Sequence, residues 1–186
     1  MRKLLLCLTP ILLTGLMQQI LAAPIIKSSE ETYPVQGSNI NEILAEVNKE
    51  GPKADGKRFS AVTEANVSWK ADLSMENDQC RLSNLQVTDT NHYVLPVWVD
   101  YPQATPDMQQ TWNKDITLLK QHEEQHGNNS VRAAYAVENM LLNLPPMANC
   151  DDLKAAADKN TDNIIQQYKQ IDVAFDSRTE HGAKQG

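Results

Sequence analysis

Between Ile40 and Val47 the apolar residues Ile40, Ile43, Leu44 and Val47 recur at helical spacing. Asn39 with Glu42 three positions later has the form of a capping box, and Gly51 with Pro52 is a stop, so a short amphipathic helix is expected here. Ahead of it, residues 24–31 read as a polar lead-in and "TYPVQG" as a short strand ended by Gly37. From Phe59 the period changes to two. Phe59, Ala61, Thr63, Ala65, Val67 and Trp69 alternate with mostly polar neighbours, as a half-buried strand requires. "MENDQ" reads as a turn before a second strand, "CRLSNLQVTD", and a further turn separates that from a third, "HYVLPVWVD". The expectation is an antiparallel meander of three strands with Pro96 at an edge or bulge, since proline has no N–H to give a ladder.

After "DYPQATPD" the spacing is helical throughout. Trp112, Ile116, Leu119, His126, Ser130, Ala133, Val137, Met140 and Leu144 form one stripe that Pro145 and Pro146 end. A last helix is expected from an N-cap at Asp151 or Asp152, with Leu153, Ala157, Ile164, Tyr168, Ile171 and Phe175 on one face. Coil is expected beyond Asp176. These elements predict one α+β domain in which a small antiparallel sheet packs against two long helices.

The first residues add a location. Met1-Arg2-Lys3, the apolar run "LLLCLTPILLTGLM" and the small residues "LAAP" follow the plan of a signal peptide, expected to span residues 1–23 and leave a single domain over 24–186. Pro10, Gly15, Gln18 and Gln19 interrupt the run, so no stable membrane insertion is expected and the product is periplasmic or secreted. The net charge of −7 becomes more negative by two once Arg2 and Lys3 leave, which argues against nucleic acid as a partner. With Cys7 also removed, Cys80 and Cys150 remain, an even pair in an oxidising compartment and the expected disulfide.

Candidate chemistry lies in "LLKQHEEQHGNNS", residues 118–130. His122 and His126 are four apart, so on a helix both rings leave from one face and can reach one ion. Glu123, about 100 degrees round the helix, can reach a water held on that ion. A shuffled chain of this composition would show H-E-x-x-H about once in two hundred trials. The arrangement predicts a zinc site, Zn2+ as cofactor, and Glu123 as the general base that activates a zinc-bound water. A third ligand must come from elsewhere. Arg132 and Asn129 stand where an extended metzincin motif needs histidine and glycine, which excludes that class. His92, in a predicted turn, reads as a surface residue. His181, in "TEHG" after the last helix, is favoured, with Asp176 or Glu180 as carboxylate alternatives; if it does not bind zinc, it can donate to an oxyanion. Trp69, Trp98 and Trp112 suit a core or cleft wall, and the N-x-S triplets at Asn66 and Asn128 read as chance matches.

With "YPVQG", "VSW", the cysteine before "LPVW", Trp112 ten residues before "HEEQH", Cys150 and the closing "DSRTEHG", the chain resembles a bacterial family of predicted secreted zinc-dependent proteases, formerly a domain of unknown function. The resemblance covers nearly all of residues 24–186. It implies a zincin-like metallopeptidase domain with His122, Glu123 and His126 as its site, and links Asp176, Thr179, His181 and Gly182 to that site. Phe175 departs from the resemblance, which implies a tyrosine before the aspartate. The expected activity is peptide-bond hydrolysis by a monomer acting on a peptide or protein. The competing expectations are a non-catalytic, zinc-stabilised binding module of the cell envelope, and hydrolysis of a non-peptide amide.

Overall fold

The computed structural model describes residues 23–54, 56–182 and 184. Residues 1–22 of the expected signal peptide lie outside the described residues. Strand β1 (Ile25–Val35) is followed by helix α1 (Ile40–Glu50), the two-residue strands β2 (Lys53–Ala54) and β3 (Lys57–Arg58), and the long strands β4 (Val62–Glu76) and β5 (Gln79–Trp98). A 3-10 turn at Tyr101–Gln103 leads into helix α2 (Pro106–Leu142), and helix α3 (Cys150–Thr179) closes the order. The architecture is α+β, as the hydrophobic pattern predicts. Among the described residues no helix is long and apolar enough to cross a membrane.

The main sheet differs from a three-stranded meander. Its order is β1-β5-β4: β4 and β5 form one long antiparallel hairpin, and β1 pairs with β5 in parallel. The hairpin turns at Asn77 and Asp78, whose φ values of 50° and 60° are those of a type I′ turn. The turn expected near residue 90 does not exist, because β5 runs unbroken from Gln79 to Trp98. The polar residues that suggested it, Asp89 and Asn91, point inward and are buried at 0% and 2% exposure. They bond to each other (Asn91 Nδ2 to Asp89 Oδ2, 2.7 Å), and the Ser130 hydroxyl of α2 donates to Asp89 Oδ1. A buried polar pair tied to a helix through Ser130 thus mimics a turn in the sequence. The lead-in is likewise strand from Ile25: β1 is an edge strand whose residues 25–32 are exposed on both faces, so they need not alternate in polarity. Pro96 lies past Val94, the last β5 residue paired with β4, where β5 is bonded only on the β1 side.

Caps set the helix ends. In α1, Asn39 accepts from the Glu42 N–H, while Glu42 accepts from the Ser38 N–H at 2.8 Å. Thr105 caps α2 with Pro106 in its first turn. In α3 the cap is Asn149, which accepts from the Asp152 N–H at 2.8 Å, not Asp151 or Asp152; those two occupy the first turn, where they favour the helix dipole. The helix also runs three residues past Asp176, to Thr179.

Two apolar clusters lie toward opposite ends of α2. Near its start, Met108 and Trp112 pack on Val35, Ile43, Val47 and Trp98. Near its end, Ala134, Val137 and Leu141 pack with Val87 of β5 and Ala157 of α3. Between them the buried face of α2 turns polar, with His122, Glu123, Asn129 and Ser130. A disulfide joins Cys80, at the start of β5, to Cys150, at the start of α3, and Cys80 also pairs by backbone with Met147. Such a bond persists in oxidising compartments.

Candidate metal centre

The polar middle of α2 faces the C-terminal half of α3. His122 and His126 leave α2 one turn apart, and Asp172 and Asp176 leave α3 with the same four-residue spacing. The four side chains meet. His122 Nε2 lies 2.9 Å from Asp176 Oδ1, His126 Nε2 lies 3.0 Å from the same oxygen, and the two Nε2 atoms are 3.2 Å apart. His122, His126 and Asp176 each offer one atom to a group that could hold a metal ion.

The donor set passes two tests of fit. Around a tetrahedral zinc ion with bonds of about 2.0–2.1 Å, ligand atoms stand roughly 3.3 Å apart, so this triangle is only a few tenths of an ångström tighter. His126 Nδ1 lies 3.0 Å from Asp172 Oδ1. An ionised carboxylate only accepts, so each ring nitrogen carries a proton where it bonds one, Nδ1 at Asp172 and Nε2 at Asp176; a cation in the triangle would take the place of the Nε2 proton and leave Nδ1–H on Asp172.

Glu123 reaches Thr63 of β4. The Thr63 hydroxyl lies 2.8 Å from its Oε2 and 3.0 Å from its backbone oxygen, and the residue is 5% exposed. Burial pushes its carboxyl up; the bond from Thr63 and the nearby His126 and His122 act the other way. For His126, burial works to lower the pKa, but the bond to Asp172 and the charges of Asp176, Asp172 and Glu123 outweigh it and raise it. The walls of the site are aromatic. Phe175 stacks on His122 with centroids 4.6 Å apart and meets His126 edge-on. Phe175 has no hydroxyl, so it serves here as a flat support for the ligand rings.

The expected site residues are thus brought together in part. Asp176, an alternative at the sequence level, supplies the carboxylate atom of the cluster. His181 stays outside it: its ring is largely exposed, with Nδ1 3.5 Å from Asp176 Oδ2 and its face against Phe59. Glu180, in a left-handed conformation (φ 50°), pairs with Lys184 instead. The Thr179 hydroxyl lies 2.9 Å from the Phe175 backbone oxygen and 3.4 Å from the Gly182 N–H. Gly182 (φ 88°) rests against His122, where a Cβ would come 3.3 Å from the ring's Cγ. His92 is remote from the cluster in contacts, bonding Ser29 and Glu31 of β1. Asp172, Asn129 and Thr63 were not anticipated. Only Asp172 left a trace in the sequence, its four-residue spacing from Asp176 matching that of the histidines.

A family model described as "Bacterial protein of unknown function (DUF922)" matches residues 30–182. The chain belongs to that family. The match takes in both long helices and every residue of the cluster. No curated protein and no solved structure matches the chain.

Proposed function

We propose that this member of the family is an exported zinc-dependent hydrolase, a metallopeptidase of the periplasm or the secreted fraction. The observation that carries the reading is the convergence of His122 Nε2, His126 Nε2 and Asp176 Oδ1 within 3.2 Å, beside a buried glutamate held by its own hydrogen bond. The Cys80–Cys150 disulfide and the leader-like N-terminus support export.

His122, His126 and Asp176 would hold a zinc ion, which would supply a Lewis acid for a carbonyl and an acidified water. Glu123 is the general base: Thr63 anchors Oε2, leaving Oε1 to take a proton and carry it to the leaving amine. His181, largely exposed and 3.5 Å from Asp176 Oδ2, would donate to the carbonyl oxygen as charge develops there. The peptide lies along the free edge of β4, the strand that carries Thr63, because an unpaired edge offers backbone groups to an extended chain.

Glu123→Gln should keep the metal stoichiometry of the wild type and lose hydrolysis of a casein-type substrate; unchanged turnover would reject the mechanism. The proximity of His181 to Asp176 also favours a second reading, in which a fourth protein ligand closes the shell and the domain is a zinc-stabilised binding module. Zinc-dependent folding with no cleavage of a broad peptide library would select it.

A further inference from the structure

We infer that Asp172 is a positioning residue that fixes the tautomer and ring angle of His126, and that Asn129 aims Asp172 for that task. The inference rests on the metal site proposed above and concerns residues behind the ligand triangle.

Asn129 is 2% exposed, and a buried amide needs partners for both of its ends. It has them: Nδ2 donates to Asp172 Oδ1 at 2.7 Å, and Oδ1 accepts from Gln125 Nε2 at 3.2 Å. The same Asp172 oxygen accepts from His126 Nδ1 at 3.0 Å. Two donors from α2 therefore converge on one carboxylate oxygen of α3, a two-point hold that leaves the carboxylate little freedom to turn. Nε2 faces a carboxylate as well, Asp176 Oδ1 at 3.0 Å, so a cation entering the triangle takes the place of the proton shared there, while Nδ1–H stays on Asp172 and keeps Nε2 turned to the ion. A bare interhelical tie would need only the Asn129–Asp172 bond. The second bond, to the ring nitrogen opposite the one in the triangle, is what makes the arrangement specific to a ligand histidine.

Two measurements separate this role from a merely structural one. The first is the zinc dissociation constant from chelator competition, taken well below the unfolding temperature on folded Asp172→Ala, Asp172→Asn and Asn129→Ala proteins. Losing the acceptor should weaken zinc about 10–100-fold in Asp172→Ala. Asp172→Asn, which keeps an acceptor oxygen, should recover part of that, and Asn129→Ala should lose less. The double variant Asp172→Ala/Asn129→Ala should bind no more weakly than Asp172→Ala alone, since Asn129 acts through Asp172. The second is the nitrogen NMR signature of His126 in metal-free protein in alkaline buffer. With Asp176 still facing Nε2, Asp172→Ala should shift the ring toward Nε2–H relative to the wild type.

Zinc binding and a His126 spectrum both unchanged in Asp172→Ala would overturn the inference. If Asp172→Ala does not fold, Asp172→Asn and Asn129→Ala carry the same comparison. If the wild type takes up no zinc, the hydrolase proposal fails, while the tautomer measurement still decides the role of Asp172.

Discussion

Gly127 follows His126 in the middle of α2, where helix propensity alone favours alanine by about 1 kcal/mol. Packing opposes the exchange. A Cβ at this position would fall well inside contact distance of the Tyr93 hydroxyl oxygen, 3.0 Å from Cζ and 3.3 Å from Cε1. The hydroxyl alone could swing clear. With Cζ and Cε1 also this close the whole ring must move, or α2 must lift off β5. Overpacking of this kind costs about 1–3 kcal/mol, so Gly127→Ala should be destabilising by about 1 kcal/mol net, with the propensity gain subtracted. For a domain of this size that lowers Tm by about 2–4 °C. Tyr93 also lines a cavity of about 380 Å³ beside Ser28, Glu30 and Lys120, which gives the ring somewhere to go and keeps the cost below the upper end of that range. The assay is urea denaturation of wild type, Gly127→Ala, Tyr93→Phe and the double variant. Removing the hydroxyl should relieve the closest contact, so the cycle should show a favourable coupling of about 1 kcal/mol in the double variant. A Gly127→Ala protein more stable than wild type by the full propensity gain would refute the claim that this glycine sets the distance between helix and sheet.

Asp176→Ala should abolish stoichiometric zinc binding in metal analysis of purified protein, whereas His181→Ala should retain it and lower kcat; the reverse order would make His181 the third ligand. Replacing both Cys80 and Cys150 with serine opens a crosslink between residues 70 apart and should cost about 4 kcal/mol on the chain-entropy model, read as a lower urea midpoint with little change in zinc affinity.

Periodicity made the long helices legible because apolar residues recur along them at helical spacing, although Ile171 of the expected α3 face is exposed, and the His122–His126 spacing was legible because one helix carries both residues. The sheet was harder. Asp89 and Asn91 look like turn residues until Ser130 is known to face them, and that contact spans 41 positions. The parallel pairing of β1 leaves no local mark, since an exposed edge imposes no alternation. In the site, His181 looked the better ligand because it follows a long helix expected to run antiparallel to α2 and return the chain to the site, ending near Asp176. That helix runs one turn further and turns back through left-handed residues, which puts Asp176 in the triangle and His181 outside it. Thr63 and Asn129 carry no signature, because hydroxyls and amides acquire a role only from the group they meet.

The disulfide and the candidate metal centre hold opposite ends of one helical pin. Cys150 is the first residue of α3 and Asp176 lies 26 residues on, about 39 Å along the axis. The fully buried residues of α3, Leu153, Ala157 and Thr161, all fall in the half nearer the sulfur bridge. The far half is therefore tethered to α2 chiefly through the histidine and aspartate contacts, so an ion captured there would act as a removable clasp on a hinge already riveted at its base. Its binding energy would add directly to the closure of the pin.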